Sequence, residues 1–486
     1  VGNMLCRVVI AGGGISGLST AYQLLKDPRI HVTLVEKTDH VGGYLNTKRE
    51  SDSIVETGPR SIRVSGGGLT LKIIKEIGLT PLLGNEATKN RYIYYSKGEE
   101  SPKINVLPSS ISHWLKDPSS LPMWKDIIGS QLMHSIKGDS SIPNEYTSIH
   151  DFFCKQFGEK FASKLGAAMV IGIYSGDSKI LSLKDCFPDI YNYFQKHGQP
   201  TFLRSMIKSF LNSKEKKFVE PIPEFDDISS QKLKSVGMYS FNNGLQQLPE
   251  TMLEYMKNNY SDRFEYYNGF SVSKVSDGNN FPLKIQSYTQ DGECITLDAD
   301  HLFSALPSFV LSELLKPRNG EISELLESIP YGDITVVALE WNEPISIGYE
   351  GFGYLVSPET KENILGVTFD SQNFPIHNPG RTVLSVMMKS KSIKDYNSVA
   401  KDVMKKHLKI QQEPDIANAF VYEQGIPQYR VGHYKIADKI ENLLSEKDNL
   451  KNISIVGNSL RGVSINTCIK SGITKANEYI TTLPKE

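Results

Sequence analysis

Gly12, Gly14 and Gly17 stand in the spacing Gly-x-Gly-x-x-Gly directly after the apolar run Val8-Val9-Ile10-Ala11, and Glu36 follows nineteen positions after Gly17. Together these residues can hold a dinucleotide. Gly12 allows a tight turn, Gly14 lets the backbone approach a pyrophosphate, and Gly17 lets a helix pack closely on a strand. Ile15 and Ser16 lead into that helix, whose unpaired N–H groups and positive dipole end are offered to the phosphates. Glu36, followed by Lys37, can accept both ribose hydroxyls, and its carboxylate disfavours a 2′-phosphate. Alone, the glycine spacing would be no more than a glycine-rich turn. The strand–helix–strand–acid setting makes the dinucleotide reading specific.

Two further clusters sharpen the cofactor. Gly42 and Gly43 follow Glu36 by six and seven residues, a pairing that recurs in flavoproteins and is missing from simple NAD dehydrogenases. The cofactor is therefore read as FAD. Glu56-Thr57-Gly58-Pro59-Arg60 adds a second close turn, in which Gly58, Pro59 and Arg60 are cofactor candidates and Arg60 either braces the flavin loop or is structural. Near the other end, a buried strand over 453–457 ends in Gly457, and 462–472 opens a final helix through Val463, Ser464 and Ile465. A helix N-terminus there would stabilise negative charge developing on a reduced flavin. Cys468 lies in this run, but its Asn-Thr-Cys-Ile setting lacks the motif of covalent flavin attachment. It is read as an inert thiol, and the FAD as non-covalent.

These residues need elements to position them. The first strand, a helix over 18–25 and a strand over 32–36 form the nucleotide unit, and 68–77 reads as a helix ending at Gly78. Helical spacing marks 148–161 and 201–211, while 213–236, rich in Lys, Glu, Asp, Pro and Ser, reads as a solvated loop. Strand character returns at 237–248, a helix follows near 248–257, and 298–306 reads as a strand rejoining the nucleotide sheet. Strands over 334–341, 351–356, 364–369 and 382–388 suit a large sheet walling a substrate pocket, with a helix over 396–408. Cofactor segments at both ends of the chain require a nucleotide domain that the others interrupt. The expected fold is α/β (α+β overall). It has a Rossmann-like FAD domain from 1–85, 237–308 and 448–486, a sheet-based substrate domain from 86–104 and 309–447, and a helical domain from 105–236.

Bulk properties narrow the classes. At 486 residues the chain exceeds what one hydrophobic core usually serves. Its 54 Lys and Arg against 55 Asp and Glu leave no basic excess for nucleic acid. Five scattered cysteines without a Cys-x-x-Cys pair read as reduced thiols, with no disulfide framework and no metal site. The longest apolar stretch, around 165–174, is interrupted by glycines, so no spanning helix is expected. The first strand begins at about Cys6, which leaves no room before it for a cleavable targeting sequence. Trp114 and Trp124, among Leu115, Leu121, Met123, Ile127, Ile128 and Leu132, suit either a membrane interface or a plain helical core.

From Glu56-Thr-Gly-Pro-Arg-Ser-Ile-Arg63 onward the chain resembles the protoporphyrinogen IX oxidase family of the eukaryotic, mitochondrial type. The resemblance spans nearly the whole length. It runs through Asn90-Arg91-Tyr92, Gly172-Ile-Tyr-Ser-Gly176, Ser182-Leu-Lys-Asp-Cys-Phe-Pro188, Gly244-Leu-Gln-Gln-Leu-Pro249, Gly351-Phe-Gly-Tyr-Leu-Val356 and Pro427-Gln-Tyr-Arg-Val-Gly-His433 to 462–472. Tyr44, Tyr174 and the 213–236 segment depart from the family pattern. The resemblance implies a non-covalent FAD that removes six electrons from protoporphyrinogen IX in three rounds, with dioxygen as oxidant and hydrogen peroxide as product. It carries no catalytic triad or metal cluster, because the flavin supplies the hard step and the protein positions and desolvates the substrate.

The same resemblance implies roles for individual residues. Arg91 would pair with a substrate propionate, although spacing alone favours a surface arginine. Phe352 and Leu355 would stack on the pyrrole rings, with Thr368 and Met387 as further wall residues; the same alternation also fits an ordinary core strand. The Gly172 carbonyl would orient pyrrole N–H groups, or the glycine only breaks a helix. A peripheral, non-spanning place on the mitochondrial inner membrane and a homodimer are also implied. Two other activities share the fold: oxidation of coproporphyrinogen III, whose four propionates would favour more cations than Arg91 and Lys89, and amine or polyamine oxidation. Rab GDP-dissociation inhibitors share the lineage without flavin, and the intact Gly12–Gly17 spacing and Glu36 argue against them.

Overall fold

The cofactor segments lie far apart in sequence because one parallel sheet gathers them. The computed structural model describes residues 5–50, 53–95, 101–107, 129, 142–198, 221–390 and 393–484. Across the sheet the strands run Phe264–Asn268, Ile30–Glu36, Cys6–Ala11, His301–Ser304 and Ile453–Ile455, all parallel. The two central strands are near-continuous runs of Val, Ile and Leu, as burial on both faces demands. Val8, Ile10, Val32 and Leu34 pack in one core, and Val9, Ala11 and Val35 in another on the opposite face.

The helix after the glycines begins at Ile15, three residues before the expected start, because Gly14 itself is its N-cap in Ile15–Leu24. The final helix, Ile465–Thr482, lies against it. Gly472 makes that approach possible: a Cβ there would sit 2.6 Å from the Ser16 carbonyl oxygen. The two ends of the chain therefore meet at the glycine turn. A mixed α/β fold is what the structure shows.

A second, seven-stranded sheet runs Ile416–Pro427, Tyr331–Trp341, Thr382–Met388, Ile364–Thr368, Gly353–Val356, Arg91–Tyr95 and Lys103–Leu107. One face is covered by a core of Tyr94, Val337, Leu339, Tyr354, Val356, Val367, Leu384 and Val386, with Ala400 and Val403 of the helix Tyr396–Val403. Strand alternation then sends the cross-strand neighbours Arg91, Gly353, Thr368 and Ser385, and likewise Leu355, Gly366 and Met387, to the other face. Ile149–Phe157, capped by Ser148, and Ala167–Tyr174 are helices whose core cluster includes Leu355 and Val463.

Several expectations need correcting. Gly158, at φ +89°, breaks the helix expected over 148–161. The segment 221–236 is not all loop: Ser230–Val236 is helical, capped by Ser229, with Leu233 and Val236 buried one turn apart. The strand expected over 298–306 is two. Cys294–Ala299 belongs to a small antiparallel sheet with Ser271–Asp277 and Leu283–Tyr288, and the chain changes sheets at Asp300, which exchanges hydrogen bonds with Arg7. Strand structure in 237–248 is limited to Met238–Ser240. Trp114, Trp124 and 201–211 lie outside the described residues. Among the described residues no helix is long and apolar enough to cross a membrane.

Candidate cofactor and substrate site

At the cofactor end, each glycine has a distinct reason. Gly12 adopts φ +101°, and a Cβ on Gly17 would lie 2.0 Å from the Gly12 carbonyl oxygen. A Cβ on Gly14 would meet nothing, so the backbone there faces open space at the N-terminus of Ile15–Leu24, which no side chain caps. Glu36 is aimed by its own hydrogen bonds: one oxygen accepts the Gly13 N–H at 2.7 Å, the other the Thr38 N–H at 2.9 Å and hydroxyl at 2.8 Å. Lys37 beside it is exposed. The Gly42 N–H donates to the Gly13 carbonyl, and Gly43 packs against Gly14. From the far end of the chain, Gly457, at φ +95°, comes so close that a Cβ would be 2.9 Å from the Ser16 hydroxyl. Val463 and Ile465 flank Ser464, which caps the last helix by accepting the Thr467 N–H.

Next to these turns, Gly58 and Pro59 lead into Arg60, which is buried. Its Nη1 donates to the Glu56 carbonyl, and it faces Asp370 at 3.9 Å. Nε and Nη2 are buried with no protein acceptor. Orphaned donors of this kind need an acceptor, and beside a dinucleotide turn a flavin carbonyl or phosphate oxygen supplies one. The donor set thus fits FAD. Burial pushes the Glu56 carboxyl up to about 7, against the pull of the Leu245 N–H, the Thr47 hydroxyl and Arg60. Burial likewise raises the Cys468 thiol to about 11, consistent with an inert residue.

The other candidates gather on the opposite face of the seven-stranded sheet, against which the helix Ala167–Tyr174 packs. Phe352 is fixed through its backbone, donating to the Asn90 carbonyl and accepting from the Phe369 N–H and the Asn373 amide. The Arg91 guanidinium lies 5.7 Å from the Phe352 ring centre. Gly353 and Gly366 place no side chain on this face, and their backbones press on adjacent strands: a Cβ on Gly353 would be 2.1 Å from the Val367 oxygen. The result is a flat floor, edged by Leu355 and Met387. Gly172 closes over it, with room for hydrogen only, since a Cβ would be 2.6 Å from Leu355 Cδ2. Thr368 donates to Asp370 at 2.7 Å, which ties this wall to Arg60 and the cofactor turn.

Two residues escaped the sequence reading. Tyr422, on the strand Ile416–Pro427, donates to the Thr57 hydroxyl at 2.6 Å and packs edge-on against Tyr44, joining the substrate sheet to both cofactor turns. Its strand alternates with polar residues, so no apolar pattern marked it. Arg63 lies within the Glu56–Arg63 motif but had no assigned role. Its charge bears on Arg91, whose basicity is lowered first by burial and then by Arg63.

A dinucleotide-type glycine turn, with a substrate sheet tied to the neighbouring cofactor turn through Arg60, Asp370 and Thr368, is the arrangement of an FAD-dependent oxidoreductase. Residues 15–480 match the flavin containing amine oxidoreductase family, and the chain belongs to it. It is 27% identical to human protoporphyrinogen oxidase over 98% of this chain and 99% of that one. It is 26% identical to coproporphyrinogen III oxidase of Bacillus subtilis (strain 168), over 98% of each. A solved Exiguobacterium structure described as a candidate protoporphyrinogen oxidase superposes with a TM-score of 0.75 at 21% identity, covering 98% of this chain and 99% of that one.

Proposed function

We propose that this protein is an FAD-dependent protoporphyrinogen IX oxidase, producing protoporphyrin IX in tetrapyrrole biosynthesis. When bound, FAD supplies two-electron oxidation, and three rounds with dioxygen as oxidant give protoporphyrin IX and three hydrogen peroxide. The chain's own residues bind, orient and dry the substrate. The observation that carries this reading is the glycine floor of Gly353 and Gly366, with Arg91 at its edge on the same face. A flat macrocycle lies on such a floor. Phe352, Leu355, Thr368 and Met387 contact its rings, Arg91 holds a propionate, and the Gly172 carbonyl orients pyrrole N–H groups. Gly12, Gly14, Ile15, Ser16, Gly17, Glu36, Lys37, Gly42, Gly43, Gly58, Pro59, Arg60, Gly457, Val463, Ser464 and Ile465 hold the cofactor. The nucleotide, substrate and helical domains follow the boundaries given above.

The charge at this face also bears on the alternatives. The Arg91 guanidinium repels an ammonium, which disfavours an amine or polyamine. Coproporphyrinogen III is decided by comparing turnover of the flavin-loaded protein on both porphyrinogens. Faster oxidation of the two-propionate substrate supports this reading; faster oxidation of the four-propionate substrate overturns it. The reading extends to a peripheral place on the mitochondrial inner membrane and a homodimer. An apolar substrate passed between membrane-associated enzymes gives a physical reason for that location. Trp124→Glu with Ile128→Glu should then weaken liposome binding at unchanged flavin content, and unchanged partitioning would count against this patch.

A further inference from the structure

His150, Cys154 and Glu159 bring three different metal-binding groups to one point, and none of them belongs to the cofactor or substrate site. His150 and Cys154 stand four residues apart in the helix Ile149–Phe157 and so share one face of it. Gly158, at φ +89°, then breaks the helix, and Glu159 opens the next turn, Glu159–Phe161. The break returns the Glu159 carboxylate to that face. Its Oε2 accepts the Cys154 thiol at 2.8 Å and lies 3.4 Å from His150 Nε2. One ligand atom from each residue lies within 4.8 Å of the other two. A tetrahedral ion with bonds of about 2.0–2.3 Å sets its ligand atoms roughly 3.3–3.8 Å apart, so small side-chain rotations close the site. His150 is buried, its backbone N–H donates to the Ser178 carbonyl at 2.9 Å, and its Nδ1 has no hydrogen-bond partner among the described residues. A buried ring with an orphaned nitrogen, held only by a carboxylate at 3.4 Å, is incompletely satisfied, and a bound ion is one ordinary reason for such a ring. The Glu159 side chain is 69% exposed, which gives an ion and water a way in.

We propose that His150, Cys154 and Glu159 form a site for a zinc-class divalent cation, with water in the fourth position. One imidazole nitrogen, one thiolate and one carboxylate suit a borderline-soft ion, whereas Mg²⁺ and Ca²⁺ take oxygen ligands. On binding, the Cys154 S–H bond breaks and a sulfur–metal bond forms. The proton passes to solvent, no electron moves, and the thiolate and carboxylate together balance the two charges of the ion. The ion clamps Ile149–Phe157 to the segment that runs on through 162–166 into Ala167–Tyr174, the helix carrying Gly172. A search for Cys-x-x-Cys pairs misses this site because its ligands are split across a helix break.

The test titrates Co²⁺, as a coloured stand-in for zinc, into flavin-loaded, chelator-treated protein without a histidine tag, and compares variants at equal FAD content. The wild type should take up one Co²⁺ per chain, with a thiolate-to-cobalt charge-transfer band in the difference spectrum and tetrahedral cobalt absorption to the red of the flavin bands. Zn²⁺ should displace it. Cys154→Ser should remove the charge-transfer band. Glu159→Gln, on a mostly exposed side chain, should weaken Co²⁺ binding by at least about tenfold, since even partners behind the ligands are worth that much. Zn²⁺ should raise the Tm of the wild type by several degrees and leave that of Cys154→Ser unmoved. A wild type without the charge-transfer band overturns the inference, as does a band that persists in Cys154→Ser. Equal Co²⁺ affinity in the wild type and Glu159→Gln overturns it too.

Discussion

Glu56 offers a prediction whose size follows from its surroundings. Its carboxyl is buried behind Gly244, accepting the Leu245 N–H at 2.7 Å and the Thr47 hydroxyl at 2.9 Å. Burial raises it from 4.5 to about 7, and at about 1.4 kcal/mol per tenfold change in acidity, ionising it in the fold costs about 3 kcal/mol. The sign follows from linkage. A carboxyl raised in the folded state contributes stability that is complete below its unfolded value and is lost as pH rises through the folded one, here between 4.5 and about 7. Glu56→Gln never ionises and still offers an acceptor to Leu245, while its amide can donate to Thr47. Chemical denaturation of the flavin-loaded protein should find the variant equal to, or about 1 kcal/mol below, the wild type at about pH 5, and about 2 kcal/mol above it at about pH 8. A stability difference that is the same at both pH values would refute the reasoning.

Three further changes probe the site. Gly172→Ala puts a methyl against Leu355 Cδ2, which must turn toward the floor at about 0.5–1.5 kcal/mol, so KM for protoporphyrinogen IX should rise several-fold with FAD content unchanged; an unchanged KM would mean that Leu355 does not border the substrate. Glu36→Ala frees the Gly13 N–H and removes the ribose acceptor, and the purified protein should carry little FAD by absorbance; full occupancy would refute the cofactor assignment. Tyr422→Phe removes the bond to Thr57 and should cost about 1 kcal/mol in unfolding free energy, with no loss expected if that contact is incidental.

Local patterns carried the nucleotide half. The run 8–17 and Glu36 are one strand–helix–strand unit whose glycines and acid serve contacts within it, so their spacing reports the geometry. The wall strands 364–369 and 382–388 were legible because both faces are buried. Ile416–Pro427 was not: Asn418, Glu423 and Gln424 interrupt any apolar run, as an edge strand allows. Ser271–Asp277 was hidden for the same reason, being exposed at most of its positions. The placement of Phe352 beside Arg91 depends on Asn90 and Asn373, which bridge distant segments, and no spacing within the chain encodes that. Glycine was the most informative residue throughout, yet the flat floor emerged only when register set Gly353 and Gly366 on the same face as Arg91 and Leu355.

Anaerobic mixing of the flavin-loaded protein with protoporphyrinogen IX tests the central claim most directly. The account predicts that the visible flavin absorbance bleaches, returns with hydrogen peroxide when oxygen is admitted, and in Arg91→Ala requires higher substrate concentration for the same bleaching. Flavin that stays oxidised at every concentration of protoporphyrinogen IX, while a chemical reductant bleaches it, would contradict the account.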